Sequence, residues 1–315
     1  MNDRTAGIHH VTAISGDPQA TVDVYTAVLG LRLVKRTVNF DDPSTYHLYF
    51  GDETGTPGTI LTFFPFGGGH GGRVGAGQAS ATAFAVPEGS IDYWVGRFAD
   101  HDIEADNPVD RFGEAVLGFR DGDGQPLELV ETDSPVEPWA DGPVPAEHAI
   151  RGFHGVTLTS ARPDATAEVL ETLGYERADT VGDRTRFRAA SDRAVVVDLL
   201  EPGDATSGRQ GAGTVHHVAF RTPDDESQFA WRDRLIDAGL QVTGQKDRQY
   251  FRSIYFREPG GVLFEIATDG PGFTHDESVE DLGRDLKLPP WLEENRAFLE
   301  ERLPTIEIGP AAEAD

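Results

Sequence analysis

The chain has 315 residues, no cysteine, and 54 acidic against 27 basic side chains, for a formal net charge of −27. The missing cysteine excludes disulfides, thiolate nucleophiles and thiolate metal sites, so a metal must be held by His, Asp or Glu. The acid excess argues against nucleic-acid phosphates as a partner, and no apolar run approaches the roughly 18 residues of a membrane span.

The N-terminal MNDRTAGIHH lacks the basic and apolar stretches of a secretory signal, which points to a cytoplasmic protein. Acids are dispersed along the chain, and the only lysines are Lys35, Lys246 and Lys287. Adaptation to high salt accounts for this pattern, and an acidic partner surface is the alternative.

In chain order the same unit recurs four times. Unit one opens with the strand-like GIHHVTAIS at Gly7 and continues with the helix-like DPQATVDVYTAVLG, where Val24, Val28 and Leu31 form an apolar stripe. It ends in the β-rich STYHLYFGDETGTPGTILTFFPF. After the linker PFGGGHGGRVGAGQ, unit two repeats the order with ASATAFAVP, EGSIDYWVGRFADHD and AVLGFRDGDGQPLELVET. The Pro- and Asp-rich DSPVEPWADGPVPAEH leads to unit three, RGFHGVTLTS, RPDATAEVLETLG and RTRFRAASDRAVVVDLLEP. Unit four follows EPGDATSGRQGAG as GTVHHVAFRTP, DDESQFAWRDRLIDAG and RSIYFREPGGVLFEIATD. These boundaries predict an N-terminal half over 1–140 (units 7–66 and 79–133), a C-terminal half over 150–270 (units 151–203 and 213–270), and a tail over 271–315. The tail holds an amphipathic helix, PPWLEENRAFLEERL, with Trp291, Leu292, Phe298 and Leu299 as packing candidates. Strand, helix, then about three strands is an α+β organisation, and two such units can curve their strands into one sheet around a cavity.

The repeat supplies an internal comparison. Units one and four carry the doublets His9-His10 and His216-His217; unit three has His154 followed by Gly155, and unit two has neither histidine. Alternation along a strand sends neighbours to opposite faces, so the two members of a doublet should have different tasks. Late in unit four Glu265 stands between Phe264 and Ile266, and counting from the shared Pro-Gly puts Phe63 at that place in unit one. Two histidines and one carboxylate form a facial set that leaves about three octahedral positions open and suits Fe(II) or Mn(II). Packed, hydrogen-bonded histidines are the alternative. His47, His70, His101, His148 and His275 read as structural or surface residues.

The fourfold repeat, with GIHHVTAISGD, VHHVAF and PGGVLFEIATD, resembles the vicinal oxygen chelate superfamily of glyoxalases, resistance proteins and extradiol dioxygenases. LRLVKRTVNFDDPSTYHLYFGDETGTPGTILTFFPF, EHAIRGFHG, REPGGVLFEIATDGPGFTHDE and LGRDLKLPPW are similar to the hydroquinone-type ring-cleaving dioxygenases, over nearly the whole chain. The resemblance implies four βαβββ modules in two barrel-like domains, with the metal site between modules one and four. It implies a mononuclear Fe(II), with Mn(II) as the other candidate, on His10, His217 and Glu265. It also implies that His9, His216, Arg248 and Tyr255 line a pocket for a small aromatic substrate and O2, and that a para-hydroquinone ring is opened beside a hydroxylated carbon. Catechol extradiol cleavage is a rival, although its usual arrangement takes a histidine from unit three, where Gly155 stands. The other rivals are glyoxalase-like isomerisation, whose fourth ligand would fall at Phe63, and sequestration of a quinone or drug without turnover. Neither nucleic acid nor membrane is implied, and a homo-oligomer is left open.

Overall fold

Two of the helices begin at an aspartate that caps them, and this fixes how units one and four turn from strand to helix. In the computed structural model, which describes residues 4–67 and 70–308, Asp17 accepts from the Ala20 amide and Asp224 from the Ser227 amide. Unit one forms β1 (Ile8–Ser15), α1 (Pro18–Asp23), which runs on into a π-helical turn (Val24–Val28), β2 (Arg32–Asn39), β3 (Asp42–Gly51) and β4 (Ile60–Pro65). Unit two forms β5 (Gln78–Val86), α2 (Ile91–Asp100), β6 (Val109–Arg111), β7 (Glu114–Arg120) and β8 (Pro126–Glu131). Unit three forms β9 (Phe153–Thr159), α3 (Pro163–Thr172), β10 (Glu176–Val181), β11 (Arg184–Arg188) and β12 (Val196–Leu200). Unit four forms β13 (Thr214–Thr222), α4 (Asp225–Asp237), β14 (Lys246–Asp247), β15 (Arg252–Arg257) and β16 (Leu263–Thr268), and the tail adds α5 (Arg296–Arg302).

The sixteen strands make two curled sheets of eight, ordered β14-β15-β16-β13-β1-β4-β3-β2 and β10-β11-β12-β9-β5-β8-β7-β6. Modules one and four share the first sheet and modules two and three the second, so each half of the chain contributes one module to each sheet. The glycine-rich linkers run side by side, joined by bonds such as Arg73 N–H to Arg209 C=O at 2.8 Å. Helices cover one face of each sheet: Tyr25 of the π-turn packs on Phe63 with centroids 4.6 Å apart, and Trp94, Phe98, Leu170 and Leu235 are buried in the same way.

The tail returns along β2, where Lys287 N–H bonds to Arg36 C=O, and so protects a strand edge. Leu299 is buried and Leu292 packs against the core, but Trp291 and Phe298 are about half exposed. Trp291 still packs its ring edge-on against Phe40, centroids 5.6 Å apart, whereas the expected core contact of Phe298 fails because α5 is only seven residues long and turns that ring onto Arg302 instead.

Two register features position the site. Across β1 and β13, Ile8 pairs with Phe220 and His10 with Ala219, while Thr12 pairs with His217 and Ala13 with Val215. His9 and His216 are therefore each the extra residue of a β-bulge. The β5–β9 ladder skips Ser80 and His154 in the same manner, so the bulge recurs in all four modules. A bulge breaks alternation and re-aims a side chain, which corrects the expectation that doublet partners point apart.

The second feature concerns Phe63. Thr12 pairs with Thr62 as Ala219 pairs with Glu265, so Thr62, not Phe63, is the counterpart of Glu265. The turn after Pro259 is one residue longer than that after Pro57: β16 starts at Leu263 and β4 at Ile60. Counting from the proline therefore slips by one position and reverses the face.

Candidate metal centre

β1, β13 and β16 lie side by side and bring His10, His217 and Glu265 together, all buried. The His10 and His217 Nε2 atoms are 3.2 Å apart, and Glu265 Oε2 lies 3.4 Å from the first and 2.9 Å from the second. Two donors at right angles, each about 2.1 Å from an ion, are about 3.0 Å apart, so the triangle fits one face of an octahedron. Glu265 Oε2 is buried and receives no hydrogen bond, whereas Oε1 accepts from the Ser253 hydroxyl. Burial alone would raise the Glu265 carboxyl, but His10 and His217 hold it well below the usual range. The donor set therefore fits a divalent ion, and among the described residues it is the only cluster of this kind.

The bulges explain the doublets. His9 Nδ1 lies 2.9 Å from His10 Nδ1, and His216 Nδ1 lies 2.8 Å from His217 Nδ1. Burial, then the neighbouring ligand histidine, holds His9 well below the ordinary imidazole range and pushes His216 down to about 3. Both stay neutral, and a proton placed on Nδ1 of His10 and of His217, shared with these neighbours, would turn each Nε2 lone pair toward the centre.

A cavity of about 320 Å³ opens beside the cluster, bounded by His10, His217, His216, Arg248 and Tyr255, with Phe40, Phe64, Phe66 and Phe251 as apolar walls. Arg248 Nε donates to the Tyr255 hydroxyl at 3.1 Å and Nη2 meets Asp41 Oδ2 at 2.8 Å. Burial, reinforced by Glu265, pushes the Tyr255 phenol up, so it is a neutral donor. His9 does not face this cavity; its ring packs against Phe251, centroids 5.1 Å apart, which corrects its expected place in the pocket wall. A larger open groove of about 970 Å³ lies between β3 and the tail, away from these histidines.

His47, read as structural or surface, instead lines the cavity. Its Nε2 is 2.7 Å from Thr62 Oγ1 and its Nδ1 is 2.8 Å from the Tyr49 hydroxyl. Burial, then the neighbouring His10 and His217, lower its pKa well below the usual value. The signal was present: Tyr49-Phe50 in unit one matches Tyr255-Phe256 in unit four, and His47 is two residues before Tyr49.

The profile of the Glyoxalase/Bleomycin resistance protein/Dioxygenase superfamily matches residues 7–129 and 152–266. The chain is 48% identical over 311 residues to MhqO of Bacillus subtilis (strain 168), a protein named provisionally as a ring-cleaving dioxygenase, covering 98% of this chain and 99% of that one. It is 38% identical over 303 residues to the chlorohydroquinone/hydroquinone 1,2-dioxygenase of Sphingobium indicum, covering 93% and 94%. A crystal structure of a provisionally assigned dioxygenase from Bacillus subtilis superposes with a TM-score of 0.94 at 48% identity, covering 97% of this chain and 98% of that chain. Glyoxalase I from Zea mays, at 17% identity and a TM-score of 0.61 over 84% and 92% of the two chains, shares the fold.

Proposed function

The chain belongs to the glyoxalase/bleomycin resistance protein/dioxygenase superfamily, and from that premise we propose that it is a non-haem Fe(II)-dependent dioxygenase that opens the ring of a para-hydroquinone. The observation that carries this reading is the buried triangle of His10, His217 and Glu265 beside an aromatic-walled cavity. The size of that cavity suits a single-ring substrate. The name of the Sphingobium relative supports the hydroquinone class.

His10, His217 and Glu265 hold the ion, and Mn(II) is the alternative occupant of that donor set. Iron, when bound, supplies Lewis acidity and a redox change that couple a phenolate to O2. His9 and His216 fix the tautomer and orientation of the two ligand imidazoles. Arg248, charged at all working pH values, holds an anionic substrate oxygen, and Tyr255, oriented by the Arg248 Nε–H, donates its hydroxyl proton as a hydrogen bond to an oxygen that gains charge. Phe64, Phe66 and Phe251 keep water off the ring.

Anaerobic reconstitution with Fe(II), followed by oxygen-uptake measurements with hydroquinone and with catechol, tests the reading. Uptake with hydroquinone supports it, and uptake with catechol alone makes the protein an extradiol enzyme. No uptake with either substrate at one iron per chain leaves a binding protein.

A further inference from the structure

The strand register relates four positions in the two sheets. Opposite the residue two beyond the second doublet position stand Thr62 (facing Thr12), Glu128 (facing Ala83), Asp198 (facing Thr157) and Glu265 (facing Ala219). Three of the four are carboxylates, and each is matched to positive or ligating groups. In the second sheet Asp198 takes Arg186 at 2.8 and 3.0 Å, and Glu128 takes Arg111 at 2.7 and 2.9 Å. Ala81 and Gly155 replace the ligand histidines there. In the first sheet Glu265 faces His10 and His217. Thr62 alone carries no charge.

The neighbouring strands obey the same internal two-fold. Tyr255 pairs with Glu265, and Tyr49 pairs with Thr62, so His47 is the counterpart of Ser253. Ser253 gives its hydroxyl to Glu265, while His47 Nε2 meets the Thr62 hydroxyl at 2.7 Å. That hydroxyl is also 3.0 Å from Thr12 Oγ1, and the far nitrogen of His47 is taken by Tyr49. The chain of four side chains engages two of the three hydrogen-bonding sites of the Thr62 hydroxyl and packs an imidazole where the Glu265 side has only a serine.

We propose that Thr62, held by His47, fills the mirror-image carboxylate position of the metal centre and keeps it free of a fourth protein ligand. The pair thereby determines that one face of the ion is left to external oxygen ligands rather than closed by a second Glu. This inference rests on the reading of His10, His217 and Glu265 as metal ligands.

The test exchanges the two sides and titrates the apo full-length chains with Zn(II). Glu265→Thr lowers Zn(II) affinity by more than the roughly 100-fold typical of outer-shell changes. Adding Thr62→Glu and His47→Ser, which copies Ser253, restores affinity to within about tenfold of wild type, because the carboxylate now arrives from the opposite side. With Glu265 kept, Thr62→Glu tightens Zn(II) binding and removes oxygen uptake by the iron-loaded protein. A folded triple variant that stays at the Glu265→Thr affinity overturns the inference. Because a buried carboxylate without its ion destabilises the apo chain, the exchange is repeated with Thr62→Gln, whose carbonyl oxygen ligates without charge. No gain of affinity in either series also overturns it. A wild-type chain that binds no Zn(II) is a separate result and removes the metal reading itself, and the inference with it.

Discussion

His216 Nδ1 sits 2.8 Å from His217 Nδ1, although the two residues are sequence neighbours on a strand. The bulge at His216 makes the contact, and it divides their tasks: His217 offers Nε2 to the centre, and His216 holds the other side of its ring. His217→Ala should therefore abolish binding of one metal ion per chain. His216→Ala should keep the ion, with affinity lowered about 10–100-fold, and lose turnover. Metal content after dialysis and oxygen uptake check this; equal behaviour of the two variants contradicts the division.

Arg248 is shared between Tyr255 and Asp41. If the guanidinium stabilises charge that develops on oxygen, Arg248→Met lowers kcat by about 100-fold. Its stability cost stays near or below about 1 kcal/mol, because Asp41 is largely exposed and its ion pair is screened. Kinetics and urea denaturation of the same variant separate the two effects.

The sequence carried the repeat, the strand and helix order of every module and the convergence of His10, His217 and Glu265, because each depends on local periodicity or on comparison between units. Three features escaped it for a shared reason. The bulges at His9 and His216, the face taken by Thr62 and the place of His47 in the cavity all depend on register between strands. Register is set by loop length across distant segments, and one extra residue after Pro259 was enough to move Phe63 into the place of Thr62. Phe298 departs for the opposite reason: its spacing is helical, but the helix is too short to turn it inward.

The second sheet has an arginine where the first has Tyr255: Arg186 pairs with Asp198 as Tyr255 pairs with Glu265. Arg186 and Asp198 are both buried and joined by two bonds, and Arg186 also reaches Glu114. Arg186→Met leaves Asp198 with Arg184 alone, at 3.1 Å, and should cost about 1.5–3 kcal/mol by urea denaturation, with Zn(II) affinity at the metal centre unchanged. Adding Asp198→Leu should recover most of that loss; a double variant as unstable as the single one contradicts the account.

His154, the bulged residue of β9, is pushed down to about 4 by burial, with the nearby Glu114 opposing. A histidine freed to its ordinary value near 6.5 on unfolding binds a proton before the folded form does. Its contribution is therefore fully present above pH 6.5 and is lost as pH falls toward 4, amounting to about 3 kcal/mol over that window. His154→Gln should lose less stability than wild type between pH 7 and pH 4.5 in parallel urea titrations, and identical pH slopes would count against the assignment.

The acid excess leads to the remaining expectation. Of the three lysines, Lys35 is wholly buried, bonded to Asp276 at 2.6 Å and to Glu277, with its ammonium 4.9 Å from the Tyr250 ring centroid. It offsets local charge inside the tail contact and contributes nothing to the surface, where a net charge of −27 repels itself. Folding brings those acids closer together than they are in the unfolded chain, so low salt penalises the folded state and added ions relieve the penalty. The gain should be largest between about 0.01 and 0.15 M ionic strength, where the screening length falls from about 30 to 8 Å, and should continue more gently to molar KCl. Thermal melts across that range should show Tm rising steadily. A flat or falling curve assigns the acids to a partner surface instead of to life in concentrated salt.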